Sequence, residues 1–96
     1  MYIKIHEAQN QRMVACCDRE LLGNTLKDGD IHFEISEKFY GEQEGTADEL
    51  RHELAGCTLA NIVGERAVGV AIDCGAIDAE SVIYISGVPH AQMMRL

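Results

Sequence analysis

Hydrophobic and polar residues alternate from the start of the chain. Met1, Ile3 and Ile5 fall on one side, and Tyr2, Lys4 and His6 on the other. This period of two predicts a half-buried strand. Residues 8–11 are polar and predict a turn. Residues 12–17 then predict a second strand, hairpin-paired to the first. Residues 18–23 predict a short helical turn, capped by Asp18 and ended by Gly23 in the left-handed region. Residues 27–30 form a turn in which Gly29 supplies a positive φ. Residues 31–35 alternate again, with Ile31, Phe33 and Ile35 inward and His32 and Glu34 outward, and predict a third strand. Phe39-Tyr40-Gly41 leads into an acidic loop that ends at Gly45.

The second half changes period. Thr46-Ala47-Asp48-Glu49 matches a capping box and predicts a helix over residues 47–56, with Leu50 and Leu54 on its apolar face. Residues 58–60 predict a short strand. Asn61 is read as the cap of a second helix over residues 62–74, ended by Gly75. More than half its circumference is apolar, so it is expected to be buried on most sides, by a sheet and another element or by a second subunit. Residues 82–86 predict a strand, 87–90 a loop and 91–96 a C-terminal tail with two methionines. The order strand, helix, strand implies a right-handed crossover to a parallel neighbour. The expected fold is one mixed, two-layer α/β domain over residues 1–96: an antiparallel hairpin plus a third strand, then a helix and the crossover unit.

Charge and cysteine content narrow the classes. The 96 residues carry sixteen acidic and eight basic side chains, a formal net charge of −8. Such a chain repels a phosphate backbone, and the basic residues form no run, so nucleic acid is a disfavoured partner. An RNA-binding module would require Lys4, Arg12, Arg19 and Lys27 to cluster on one face. The acidic excess gathers between Glu34 and Glu53. It reads either as a solvated face or as a surface that meets a basic partner. No run of apolar residues approaches the roughly 20 needed to span a bilayer, and the first residues do not read as a signal peptide. A cytoplasmic protein with no membrane partner is expected. Cys16, Cys17, Cys57 and Cys74 are expected to be reduced thiols acting as small hydrophobes. Their spacing does not match zinc-ligand pairs, and no metal or cofactor is expected.

Four segments resemble an archaeal family known as domain of unknown function number four hundred and twenty-four. They are Asp18-Arg19-Glu20-Leu21-Leu22-Gly23-Asn24-Thr25-Leu26, Phe39-Tyr40-Gly41, Asn61-Ile62-Val63-Gly64-Glu65-Arg66-Ala67-Val68 and Gly87-Val88-Pro89-His90-Ala91-Gln92. The resemblance implies an archaeal cytosolic protein and a compact α/β domain. It implies no activity and no catalytic residues.

Two constellations can carry chemistry. The first is the start of the apolar helix, where Gly64 permits close approach, free amides suit an anion, and Arg66 can clamp it, although Glu65 would repel it. The second is His90, which titrates near neutral pH and can act as a general acid or base. The two are expected to meet at one sheet edge, so that Gly64, Glu65, Arg66, His90 and Gln92 form the candidate ligand-binding cluster, with His90 the candidate catalytic residue. Phe39 and Tyr40 serve either as a partner anchor or as a cover for the sheet edge. The main expectation is a non-enzymatic interaction or adaptor module with a protein partner, in the setting of an archaeal translation or RNA-processing complex. The alternative is a small enzyme or anionic-ligand-binding domain using the Gly64–His90 edge. The apolar helix and the methionine tail also suit a homodimer interface.

Overall fold

The computed structural model describes residues 1–41 and 43–95. The N-terminal hairpin forms as the alternation predicts. Strands β1 (Tyr2–Ala8) and β2 (Gln11–Cys17) pair antiparallel across a two-residue turn, with Gln9 and Asn10 at φ 51° and 68°. Two left-handed residues match the twist of the strands they join. A 3₁₀ turn (Arg19–Leu21) follows, then a second hairpin of β3 (Thr25–Asp28) and β4 (Ile31–Glu34) around Gly29. The residues predicted as a third strand thus form a separate two-stranded sheet with β3. A single-turn helix, α1 (Glu37–Tyr40), is capped by the Ser36 hydroxyl, which accepts from the Phe39 amide. Strand β5 (Gln43–Glu44) pairs with the start of β1.

Helix α2 (Ala47–Gly56) begins with the predicted capping box. The Thr46 hydroxyl accepts from the Glu49 amide at 3.1 Å, and the Glu49 carboxylate accepts from the Thr46 amide at 3.2 Å. Thr46→Ala removes one half of this exchange and is expected to lower unfolding free energy by about 1 kcal/mol in chemical denaturation. An unchanged midpoint would show that the box does not hold the helix end.

Beyond α2 the structure departs from the sequence reading. Strand β6 (Leu59–Val63) runs through Asn61, so that residue lies within a strand and does not cap a helix. Helix α3 (Glu65–Asp73) starts three residues later than expected, after Gly64 at φ 110°. Two strands close the chain, β7 (Ile83–Ile85) and β8 (Val88–Met94), joined by a tight turn at Ser86 and Gly87 with both residues at positive φ. The predicted loop and most of the predicted tail are therefore one seven-residue strand. Pro89 is tolerated because the β6–β8 ladder ends at Val63 opposite His90, so its missing N–H faces no strand partner there. Arg95 continues the order, donating through Nη1 to the Leu54 and Cys57 carbonyls at 2.8 and 2.9 Å, the open C-terminal end of α2. Leu96 lies outside the described residues.

The main sheet has the order β5-β1-β2-β6-β8-β7. Its single parallel pair is β2 with β6; every other neighbour is antiparallel. The parallel crossover was expected after β6, but β8 returns antiparallel to β6 and separates it from β7. The crossover that exists links β2 to β6 through α2. The architecture is mixed α/β in two layers. Helices α2 and α3 cover one sheet face around Val14, Cys16, Leu50, Leu54, Ile62 and Ala67. The β3–β4 hairpin and α1 are laid over part of the other face, around Ala15, Cys17, Ile35, Tyr40 and Val63. Cys16 and Cys17 point to opposite faces, as adjacent strand residues must. No helix among the described residues is long and apolar enough to cross a membrane.

Candidate functional site

The parallel pairing of β2 with β6 brings two chain ends together. Cys17 lies beside Val63, so Asp18 and Gly64 leave the sheet side by side, and the Asp18 amide donates to the Val63 carbonyl at 3.1 Å. The Asp18 side chain then turns onto the first turn of α3. Its Oδ2 accepts from the Arg66 amide at 3.0 Å and its Oδ1 from the Ala67 amide at 2.8 Å. Asp18 is only 4% exposed. A carboxylate at a helix N-terminus both satisfies free amides and complements the dipole. Gly64 is required here, because a Cβ on it would lie 2.4 Å from the Asp18 Cγ.

The expected anion site lies at this same helix start. A cleft of about 190 Å³ does open beside Gly64, Glu65 and Arg66. Its amides, however, are already held by the protein's own carboxylate. Arg66 is also engaged: its Nη2 donates to both carboxylate oxygens of Glu20, at 2.7 Å to Oε2. A ligand anion entering the cleft would face Asp18, Glu20 and Glu65 together.

His90 does not join that cleft. Side chains alternate along β8, so Pro89 faces α3 while His90 faces the opposite side of the sheet. There the His90 Nε2 lies 3.0 Å from Asn61 Oδ1, and the Tyr40 hydroxyl donates to the same oxygen at 2.5 Å. Phe33 meets the imidazole edge to face, with ring centroids 4.8 Å apart. Since Asn61 Oδ1 can only accept, His90 carries its proton on Nε2. Gln92 faces the same way, opposite Asn61, and is exposed. The expected cluster of Gly64, Glu65, Arg66, His90 and Gln92 is therefore split by the sheet into two groups. The sheet polarity explains it: β8 runs antiparallel to β6, so His90 lies inside the ladder and not on a loop at the strand's end.

Burial lowers the His90 pKa below 6.5. The folded protein therefore binds this proton less readily than the unfolded chain. The group's full contribution to stability is present above pH 6.5 and is lost as pH falls from there through the lowered folded value. An NMR titration of the ring is expected to give a midpoint below 6.5, with the Nε2–H tautomer above it. A midpoint at or above 6.5 would contradict the buried placement.

The remaining candidates resolve plainly. Burial pushes the Cys16 thiol up to about 12 and the Cys17 thiol up to about 11, so neither is a thiolate at neutral pH. Tyr40 is 1% exposed and covers the sheet face, not its edge. It is no partner anchor. Phe39 stacks on His6, whose Nε2 donates to the Phe39 carbonyl at 2.8 Å. Arg12 and Arg19, two members of the required RNA-binding set, are paired with Glu7, Glu53 and Glu44. Among the described residues no group of three or more His, Cys, Asp or Glu side chains is placed to hold a metal ion.

A larger concavity lies elsewhere, between β1 and α2. It is a groove of about 490 Å³ with Ile3 and Ile5 in its floor. Glu44, Asp48, Glu49, Glu53 and His52 stand along its walls. The carboxylates come from the acidic stretch that sequence reading singled out; Glu42 of that stretch lies outside the described residues. Three carry ion pairs: Glu44 with Arg19 at 3.0 Å, Asp48 with Arg51 at 2.6 Å and Glu53 with Arg12 at 2.6 Å. The two exposed pairs, Glu44–Arg19 and Asp48–Arg51, are each worth about 1 kcal/mol or less, while Glu53–Arg12 is partly buried. The sequence signal for the floor was present in the β1 alternation, which placed Ile3 and Ile5 together without showing that α2 leaves a gap above them.

Comparison with known proteins gives the chain relatives but no activity. No curated protein matches it. A crystal structure of an uncharacterized conserved protein from Methanopyrus kandleri is similar along its length, with a TM-score of 0.81 and 28% identity, covering 99% of this chain and 93% of that one. The model of the family described as a protein of unknown function, DUF424, matches residues 6–96, and the chain belongs to that family.

Proposed function

We propose that the protein is a non-enzymatic interaction module whose acidic groove receives a basic segment of a partner protein. The observation that carries this reading is the groove itself. Its apolar floor, Ile3 and Ile5, is flanked by the carboxylates of Glu44, Asp48, Glu49 and Glu53. An apolar strip between like charges fits a segment that alternates apolar and cationic residues, since burial supplies affinity and charge supplies orientation and rate. The free, mostly buried thiols of Cys16, Cys17 and Cys57 suit a reducing cytoplasm, which is the setting proposed.

The enzyme or anion-binding alternative draws no support from the geometry of Gly64, Glu65, Arg66, His90 and Gln92. A homodimer is not needed for the groove to form.

The test is fluorescence anisotropy with a labelled peptide of alternating lysine and valine. Binding in the micromolar range is expected, weakening as salt is raised. Glu44→Lys combined with Asp48→Lys is expected to weaken it at least tenfold, with the circular dichroism spectrum unchanged. No binding, or binding indifferent to both charge reversals, would overturn the reading. Affinity capture from native lysate, with and without nuclease, then decides whether the natural partner arrives in a translation or RNA-processing complex.

A further inference from the structure

Resting on the groove reading, we propose that the partner segment binds by adding a strand to the open edge of β1, exchanging backbone hydrogen bonds with Ile5 and Glu7. The outer neighbour of β1 is β5, and it pairs with Tyr2 and Ile3. Among the described residues no strand lies beside Ile5–Ala8 on that side. Four residues of strand give about 13 Å of free edge.

The direction of the backbone groups follows from one contact and the strand period. The Gly45 amide donates to the Met1 carbonyl at 2.8 Å, so the Met1 carbonyl faces the β5 side. Peptide groups alternate sides along a strand, so the N–H and C=O of Ile3, Ile5 and Glu7 face the same way. The hairpin agrees. Its two-residue turn makes Ala8 and Gln11 the pair that exchanges bonds, which assigns Lys4, His6 and Ala8 to β2. Among the described residues no backbone group pairs with Ile5 or Glu7 on this side, so their donors and acceptors face outward at the edge.

The same edge borders the groove. The side chains of Ile3 and Ile5 enter its floor, and Asp48 and Glu53 line the same groove. A strand laid against Ile5 and Glu7 would send every second side chain toward those carboxylates. The occupant is accordingly a basic extended segment. A second copy of this chain is disfavoured, since each copy carries a net charge of −8. Charged side chains at open edges are the usual guard against pairing between like molecules, and an acidic guard still admits a cationic strand.

Backbone hydrogen exchange separates this mode from simple docking of side chains. The full chain is saturated with the lysine–valine peptide, and amide exchange is followed by NMR. Exchange at Ile5 and Glu7 is expected to slow at least tenfold, while the His6 amide, already bonded to β2, changes little. Two peptide analogues give a second readout, one N-methylated at every lysine and the other at every valine. Because only alternate peptide groups face β1, one analogue is expected to lose at least tenfold in affinity and the other to stay within threefold. Peptide binding without added protection at Ile5 and Glu7, or equal binding of both analogues, overturns strand addition and leaves the groove reading intact. Failure of the unmodified peptide to bind overturns both.

Discussion

Replacing Gly64 with alanine is expected to destabilise the fold by about 3 kcal/mol, a loss on the order of 15 °C in Tm for a domain of this size. Two costs add. At φ 110° the backbone is in a region that side chains with a Cβ enter only under strain, of roughly 1–3 kcal/mol. The new methyl group would also lie 2.4 Å from the Asp18 Cγ and 2.6 Å from its Oδ2, neither of which belongs to a freely moving chain end. Asp18 is held by the Arg66 and Ala67 amides, so it can retreat only by uncapping α3. Thermal unfolding followed by circular dichroism checks this. A Tm within a few degrees of the parent would mean that the two chain ends separate without penalty. Asp18→Gly in the same chain removes the clash and is expected to recover part of the loss.

Asp18→Ala alone is expected to cost about 2–4 kcal/mol. It leaves the Arg66 and Ala67 amides without an acceptor at the end of a helix that buries one face, each such group costing roughly 1–3 kcal/mol when water cannot fully replace the partner. Part is recovered if water enters the adjoining cleft. Asp18→Asn keeps one acceptor and loses the charge, so an intermediate value is expected. Urea denaturation of the three proteins gives the order directly. Equal stability of Asp18→Asn and the parent would show that the charge contributes nothing, and equal stability of Asp18→Ala would remove the cap from the account altogether.

These residues also mark where sequence reading succeeds and stops. The β1–β2 hairpin, the capping box at Thr46 and the positive φ at Gly29 depend on neighbours within a few positions, and all three were legible. The start of α3 was not. Asn61 resembles a cap because it is polar and precedes an apolar run, but the acceptor that α3 uses is Asp18, 48 positions from the Arg66 amide that it receives. No local pattern contains that partner. Similarly, residues 87–90 resemble a loop because they hold glycine and proline. Only the position of Pro89 past the end of β6 shows why a strand can include it. The groove divides the same way. Its carboxylates and its isoleucines were each visible as patterns, while the gap between β1 and α2 depends on where α2 packs.

The placement of the single parallel pair has a consequence for the order of assembly. The β1–β2 hairpin and the β7–β8 hairpin each close over a few residues, and β6 finds β8 through one intervening helix. Within the main sheet the two halves of the chain pair along β2 and β6, where Ala15 and Asn61 are neighbours 46 positions apart. Closing that span costs about 3 kcal/mol of chain entropy before any contact repays it. The local pieces can therefore form and dissolve quickly, and docking of β2 onto β6 is the step expected to limit the folding rate. The Asp18 bridge to α3 completes only with that docking, so the bond that caps the helix also registers that the two halves have joined.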